Sequence, residues 1–305
     1  MDELAEQAVD AINAISGRHE GYRAAHAKGT LLTGRFTPAG AGLTTAAHMG
    51  TEPVRVTARF SNGGGSPEIP DYAREGRGLA VKFYLPDGSK TDIVALNLPC
   101  FFARTPQDFL EFTQARKPDP ETGQPDFAKI GAWLERHPEA GPSIQAAVSA
   151  EPPESYATVT YNSLHSFKWI APDRTERWVR YRFEPEAGER TLSDEDAKAL
   201  GRDYLQQEIA ARDSTAFRLV VIVAAGDDPV HDPTVAWPAE REHVEVGRLE
   251  LTGPETERER DGDILVMDPT RVTDGIELSD DEVLRFRPRA YSASVTRRSG
   301  APAPA

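Results

Sequence analysis

A chain of 305 residues with 49 acidic against 35 basic side chains carries a net charge of −14, which disfavours general binding to nucleic acid or anionic membranes. Its 39% hydrophobic and 28% charged residues are the balance of a globular protein able to bury one large core. A single cysteine, Cys100, excludes an intramolecular disulfide, and no run approaches the 18 apolar residues of a membrane span.

The first residues, Met1-Asp-Glu-Leu-Ala-Glu-Gln, are acidic and lack the basic and apolar regions of a signal peptide, so a cytoplasmic protein is expected. Leu4, Ala8, Val9, Ile12 and Ile15 recur at helical spacing over 3–16 and predict an N-terminal helix within residues 1–19. Strand patterns follow at 29–37, 53–61, 78–86 and 91–97, separated by turn chemistry such as Ser61-Asn-Gly-Gly-Gly-Ser and Pro86-Asp-Gly-Ser. The period then changes. Pro106 opens a helix carrying Phe109, Leu110 and Phe112, and further helices are expected at Phe127–Arg136 and Ile144–Val148. Strands return at 156–161, 165–170, 178–184, 216–225 and 244–251, with a helix over part of 193–212.

Eight or nine antiparallel strands in two groups, with helices between them, can close on themselves. The expected fold is α+β: an eight-stranded antiparallel β-barrel with inserted and flanking helices, as one domain over 1–298. The tail Ser299-Gly-Ala-Pro-Ala-Pro-Ala (299–305) has the composition of a frayed end. The histidines His19, His48, His137, His165, His231 and His243 show no His-x-x-x-His or His-Glu-x-x-His spacing, so a zinc site is not expected.

Four segments carry chemistry. Arg23-Ala-Ala-His26-Ala-Lys28-Gly29 holds a His beside a turn, a residue able to act as base and then acid. Arg59-Phe60-Ser61 and Asn97-Leu-Pro99-Cys-Phe-Phe102 add a Ser and an Asn. In Arg287-Pro-Arg-Ala-Tyr291 an Arg precedes a Tyr by four residues, on one face if the segment is helical, although Pro288 would place the start or a kink of that helix there. This combination, in this order, resembles the haem-dependent catalase family.

The resemblance implies haem b, with Tyr291 as the proximal ligand of a ferric iron and Arg287 favouring the phenolate. It further implies that His26 is the distal base, oriented by Ser61, and that Phe109 stacks over the haem. Arg23, Arg59 and Arg298 match positions that neutralise its propionates, and His165 and Asp281 match positions that hydrogen-bond the ligand's Arg. The family typically has Asn-Asn-x-Pro-x-Phe-Phe, so counting back from Pro99 puts Leu96 in the place of the first, peroxide-facing Asn. Asn97 is nevertheless the third catalytic candidate, its amide donating to charge that develops as the O–O bond breaks, provided the strand shifts by one residue and so reverses its face. Phe60, Phe101 and Phe102 read as barrel core, and Cys100 as buried packing.

The resemblance spans about residues 20–298, without the long N-terminal arm and C-terminal helical region of full-size catalases, and so is most like the small catalase-related peroxidases. It implies a wider cavity mouth and a homodimer or other small homo-oligomer. The expected activity is peroxidase: reduction of hydrogen peroxide or organic hydroperoxides with oxidation of a small organic donor. A small true catalase, a non-catalytic haem carrier and a barrel without haem remain as alternatives. Ala25, where allene oxide synthases of this barrel have Thr, argues against that rearrangement.

Overall fold

The computed structural model describes residues 2–255 and 264–299. The first helix, α1 (Glu3–Ser16), starts where the Asp2 carboxylate accepts from the backbone N–H of Leu4 and Ala5, and stops at Gly17, whose φ of 81° suits glycine. Strands β1 (Gly29–Pro38), β2 (Val54–Asn62), β3 (Arg77–Tyr84) and β4 (Lys90–Leu96) form an antiparallel meander. Their period of two is strict: Val54, Val56, Ala58 and Phe60 of β2 join the barrel core, leaving Arg55, Thr57, Arg59 and Ser61 on the outer face.

Helices α2 (Pro106–Ala115), α3 (Phe127–Arg136) and α4 (Gly141–Ser149) fill the central insertion. The start of α2 is fixed by a reciprocal capping pair, Thr105 with Asp108, and by Pro106 at its first position. Next come β5 (Tyr161–Asn162), β6 (Phe167–Ile170) and β7 (Glu176–Pro185), then α5 (Asp194–Ala199) and α6 (Tyr204–Ala211). Strands β8 (Thr215–Val223), β9 (His243–Pro254) and β10 (Ile276–Leu278) and helix α7 (Glu282–Ser299) complete the chain.

Closure is direct. β9 pairs back on β1, β8 joins β9 to β7, and β4 meets β5 at Leu96↔Asn162. Both β5 and β6 lie along one edge of β7, so they are halves of a single interrupted stave, and the barrel has eight staves. Between Asn162↔Arg182 and Phe167↔Val179 the register moves by two residues. That surplus throws residues 163–166 out of the ladder. β10 adds to the outer edge of β6.

The expected barrel is thus present, with four local corrections. Residues 156–158 form a 3-10 turn rather than strand, with only 161–162 paired. The 193–212 helix is two helices broken at Gly201, which has φ 94°. α7 begins at Glu282, six residues before Pro288, so the proline is interior. Ser299 closes α7, and the rest of the expected 299–305 tail lies outside the described residues. No helix among the described residues is long and apolar enough to cross a membrane.

Candidate active site

A cavity of about 250 Å³ lies outside the barrel, between the outer face of β2–β4 and helices α1, α2 and α7. Strand register builds its floor. Ser61, Gly78 and Leu96 are aligned across β2, β3 and β4, and Arg59, Ala80 and Val94 form the next outward row. Val283, Arg287, Tyr291 and Arg298 line it from α7, at steps of four or seven residues that keep them on one face. Ala8, Val9 and Ile12 of α1 and Phe109 of α2 close the side.

His26 stands in the segment preceding β1. Its Nδ1 lies 3.0 Å from Ser61 Oγ, and it has φ 55°, a conformation uncommon outside glycine. Three contacts hold it there. Its N–H donates to Gly63 O at 3.2 Å, the next N–H donates to Gly64 O at 3.0 Å, and the Arg59 guanidinium donates to the carbonyls of His26 and Ala27 at 2.9 and 3.1 Å. Gly78 supplies the remaining space. A Cβ there would lie 2.9 Å from Ser61 Oγ and 3.1 Å from His26 Cε1 and Nδ1. Burial, reinforced by the charges of Arg59, Arg287 and Arg23, pushes the His26 pKa down to about 3, so the ring is neutral at physiological pH.

On α7, Arg287 Nε donates to Tyr291 Oη at 2.8 Å, and its Nη1 reaches His165 Nε2 at 2.9 Å. His165 Nδ1 lies 2.6 Å from Asp281 Oδ2. A guanidinium has no acceptor, so Nε2 must accept and Nδ1–H must donate to Asp281. The direction of the whole chain is therefore fixed, and Tyr291 oxygen is its terminal acceptor. Burial outweighs the Asp281 charge and lowers the His165 pKa, in keeping with this neutral tautomer. Asp281 also accepts from Leu284 N–H at 3.0 Å through its other oxygen, tying the network to the first turn of α7. The interrupted stave brings His165 here: the two surplus residues carry Leu164 and His165 to the cavity wall.

The cavity thus gathers Arg23, His26, Arg59, Ser61, Phe109, His165, Arg287, Tyr291 and Arg298, with Asp281 buried behind His165. Asn97 is the exception. It lines a different cavity beside β7, and its Oδ1 accepts from Arg77 N–H at 2.6 Å. Leu96 faces the site instead, because it shares a face with Val94, two residues back. Phe101 lines the cavity and Phe102 packs against α2 and α3, so neither is barrel core, whereas Phe60 is. Sequence reasoning missed Gly78, whose only signal was its place opposite Ser61 in the β2–β3 register.

The donor set fits haem. A phenol oxygen that accepts from a guanidinium suits ferric iron, the wall is largely apolar, and the arginines that line it would suit the carboxylates of a bound haem. Imidazole, phenol and guanidinium groups around one largely apolar slot define a cofactor-dependent oxidoreductase site.

Comparison with known proteins agrees. The family model described as Catalase matches residues 7–303. The chain is 44% identical over 303 residues to the catalase-related peroxidase of Mycolicibacterium paratuberculosis, covering 97% of this chain and 95% of that protein. It is 34% identical to the catalase-related peroxidase of Synechococcus elongatus, covering 96% and 88%. A fungal catalase structure superposes with a TM-score of 0.82 at 26% identity, over 91% of this chain and 60% of that one. The chain belongs to the Catalase family, whose members typically bind haem, and is an oxidoreductase acting on peroxide.

Proposed function

We propose that this protein is a haem b peroxidase that reduces hydrogen peroxide or organic hydroperoxides while oxidising a small organic donor. The observation that carries the reading is the single cavity in which the Asp281–His165–Arg287–Tyr291 chain and the His26–Ser61 pair meet. Tyr291 would hold the iron, Phe109 would lie against the macrocycle, and Arg23, Arg59 and Arg298 would face its carboxylates. When bound, haem supplies an iron that accepts peroxide oxygen and exchanges electrons one at a time.

The chain's own residues supply proton transfer and orientation. With Nδ1–H donating to Ser61 Oγ, His26 keeps a lone pair on Nε2. That nitrogen takes the proton of the inner peroxide oxygen and returns it to the outer oxygen as it leaves, as water or alcohol. A pKa of about 3 keeps the imidazole unprotonated before each turnover. Arg59 and Gly78 fix the segment that presents it. Leu96 offers no hydrogen bond, so the floor accepts an alkyl group more readily than it polarises a second hydrogen peroxide.

That last point separates peroxidase from catalase turnover. Haem-loaded protein should oxidise a phenolic donor with cumene hydroperoxide while evolving little oxygen from hydrogen peroxide. Leu96→Asn should raise oxygen evolution about tenfold by adding a donor near the breaking bond. Abundant oxygen from the native protein, with no donor oxidation, would make it a small true catalase.

A further inference from the structure

The cavity wall is one end of a row of aromatic rings that leaves the site. Phe109 lines the cavity, and its ring lies 5.7 Å from that of Phe102. Phe102 is 5.0 Å from Phe112, Phe112 is 4.6 Å from Trp133, and Trp133 stacks on His137 at 4.1 Å with planes 18° apart. The row crosses from α2 to α3 and ends at a half-buried imidazole. Its first four rings come from three separate segments of chain, yet each contact is within ordinary ring-packing distance.

Trp133 differs from the phenylalanines before it, because an indole loses an electron far more readily than a benzene ring. It is 2% exposed, and its Nε1 has no hydrogen-bond partner. Acids stand at the His137 end of the row, and the guanidinium over its rings, that of Arg116, lies 5.6 Å from the Phe112 centroid. His137 Nδ1 lies 3.1 Å from Glu139 Oε1, and the ligand atoms of Asp108, His137 and Glu139 fall within 4.8 Å of one another. Arg104, the cation facing Glu139, is engaged with Asp232 at 2.9 Å. The residues lining the cavity include no Trp and no Tyr besides Tyr291, so along this row the first oxidisable ring is Trp133.

We propose that Trp133 is a second oxidation site, through which donors too large for the cavity reduce the enzyme at the His137 surface. This rests on the peroxidase reading. Reduction of a hydroperoxide to alcohol and water takes two electrons and two protons. Each time, the Trp133 indole gives one electron toward the cavity along the ring row and regains one from a donor at His137. Two donors, each losing one electron, supply the electrons, and the two protons come from solvent, which a donor such as a phenol replenishes as it is oxidised. Simple packing of α2 on α3 would need apolar rings here but no indole.

The test uses haem-loaded full-length protein, Trp133→Phe, which keeps an aromatic filler, and His137→Gln, which keeps the indole. Peroxide-treated native protein should show an indole radical by electron paramagnetic resonance, absent in Trp133→Phe and retained in His137→Gln. Oxidation of ferrocytochrome c, a protein unable to enter the cavity, should fall about tenfold or more in both variants, while oxidation of a small phenol stays within about twofold. An unchanged radical in Trp133→Phe, or an unchanged rate with ferrocytochrome c in His137→Gln, would overturn the proposal. Failure of the small phenol to react at all would instead overturn the peroxidase reading on which it rests.

Discussion

The two sides of the cavity solve the same problem, holding one reactive atom still, by different means. On α7 the solution is a chain of side chains whose polarity is dictated by a donor-only guanidinium and a buried carboxylate. Around His26 the solution is backbone: an uncommon positive φ, two loop hydrogen bonds, two carbonyls pinned by Arg59, and the missing Cβ of Gly78. The first design depends on charge and the second on shape. Substitutions that alter one without the other should therefore have separable effects.

The largest effect is expected from His26→Ala. It removes the base while leaving the α7 chain intact, so reaction with peroxide should slow about a thousandfold with the optical spectrum of bound haem nearly unchanged. Asp281→Asn attacks the other side. An amide N–H facing His165 Nδ1–H would force the opposite tautomer, setting donor against donor at Arg287. Chemical denaturation should show a loss of about 3 kcal/mol, because the buried His165–Asp281 pair is broken and the half-buried Arg287 beyond it loses its compensating charge, and the haem spectrum should shift.

Gly78→Ala tests shape alone. The added methyl would displace the His26 ring by a few tenths of an ångström, and peroxide reactivity should drop about tenfold with no change in the Tyr291 signature. An equal loss in both readouts would mean that the two sides are not separable.

Acid provides the mildest probe. His26, half-buried in the cavity wall, and the buried His48 both have pKa values pushed down to about 3 by desolvation, so the folded protein binds fewer protons than the unfolded chain below pH 6.5. Stability contributed by each is present above pH 6.5 and is lost as pH falls toward 3. By pH 5 the loss should be about 2 kcal/mol for each His, visible as a lower unfolding midpoint. Peroxide reactivity should show no acid limb near pH 6.5, since the folded His26 does not titrate there.

How much of this was legible in the sequence follows from where each part's information resides. His26, Ser61, Arg287 and Tyr291 lie in short segments whose spacing carries the chemistry, and the structure brings all four to one cavity. Leu96 rather than Asn97 faces the site because sidedness in a strand is a parity, and counting from Pro99 already put Leu96 in that place. Gly78 could not be read as a site residue, because its contribution is an absent atom seen only when β3 is laid beside β2. Pro288 suggests the start or a kink of α7, whereas Asp281 caps the helix seven residues earlier and leaves the proline inside it. The ring row from Phe109 to His137 joins residues from α2, α3 and the turns beside them, and no local pattern announces it.

The central claim is that the Tyr291 oxygen, held by Arg287, is the ligand that fixes haem in this cavity. The most direct test is the optical and electron paramagnetic resonance spectrum of haem-loaded protein beside Tyr291→Phe. The native protein should give a high-spin ferric, phenolate-ligated spectrum, with loss of that signature and about a tenfold or greater weakening of haem retention in the variant. Identical spectra and equal retention would contradict that claim.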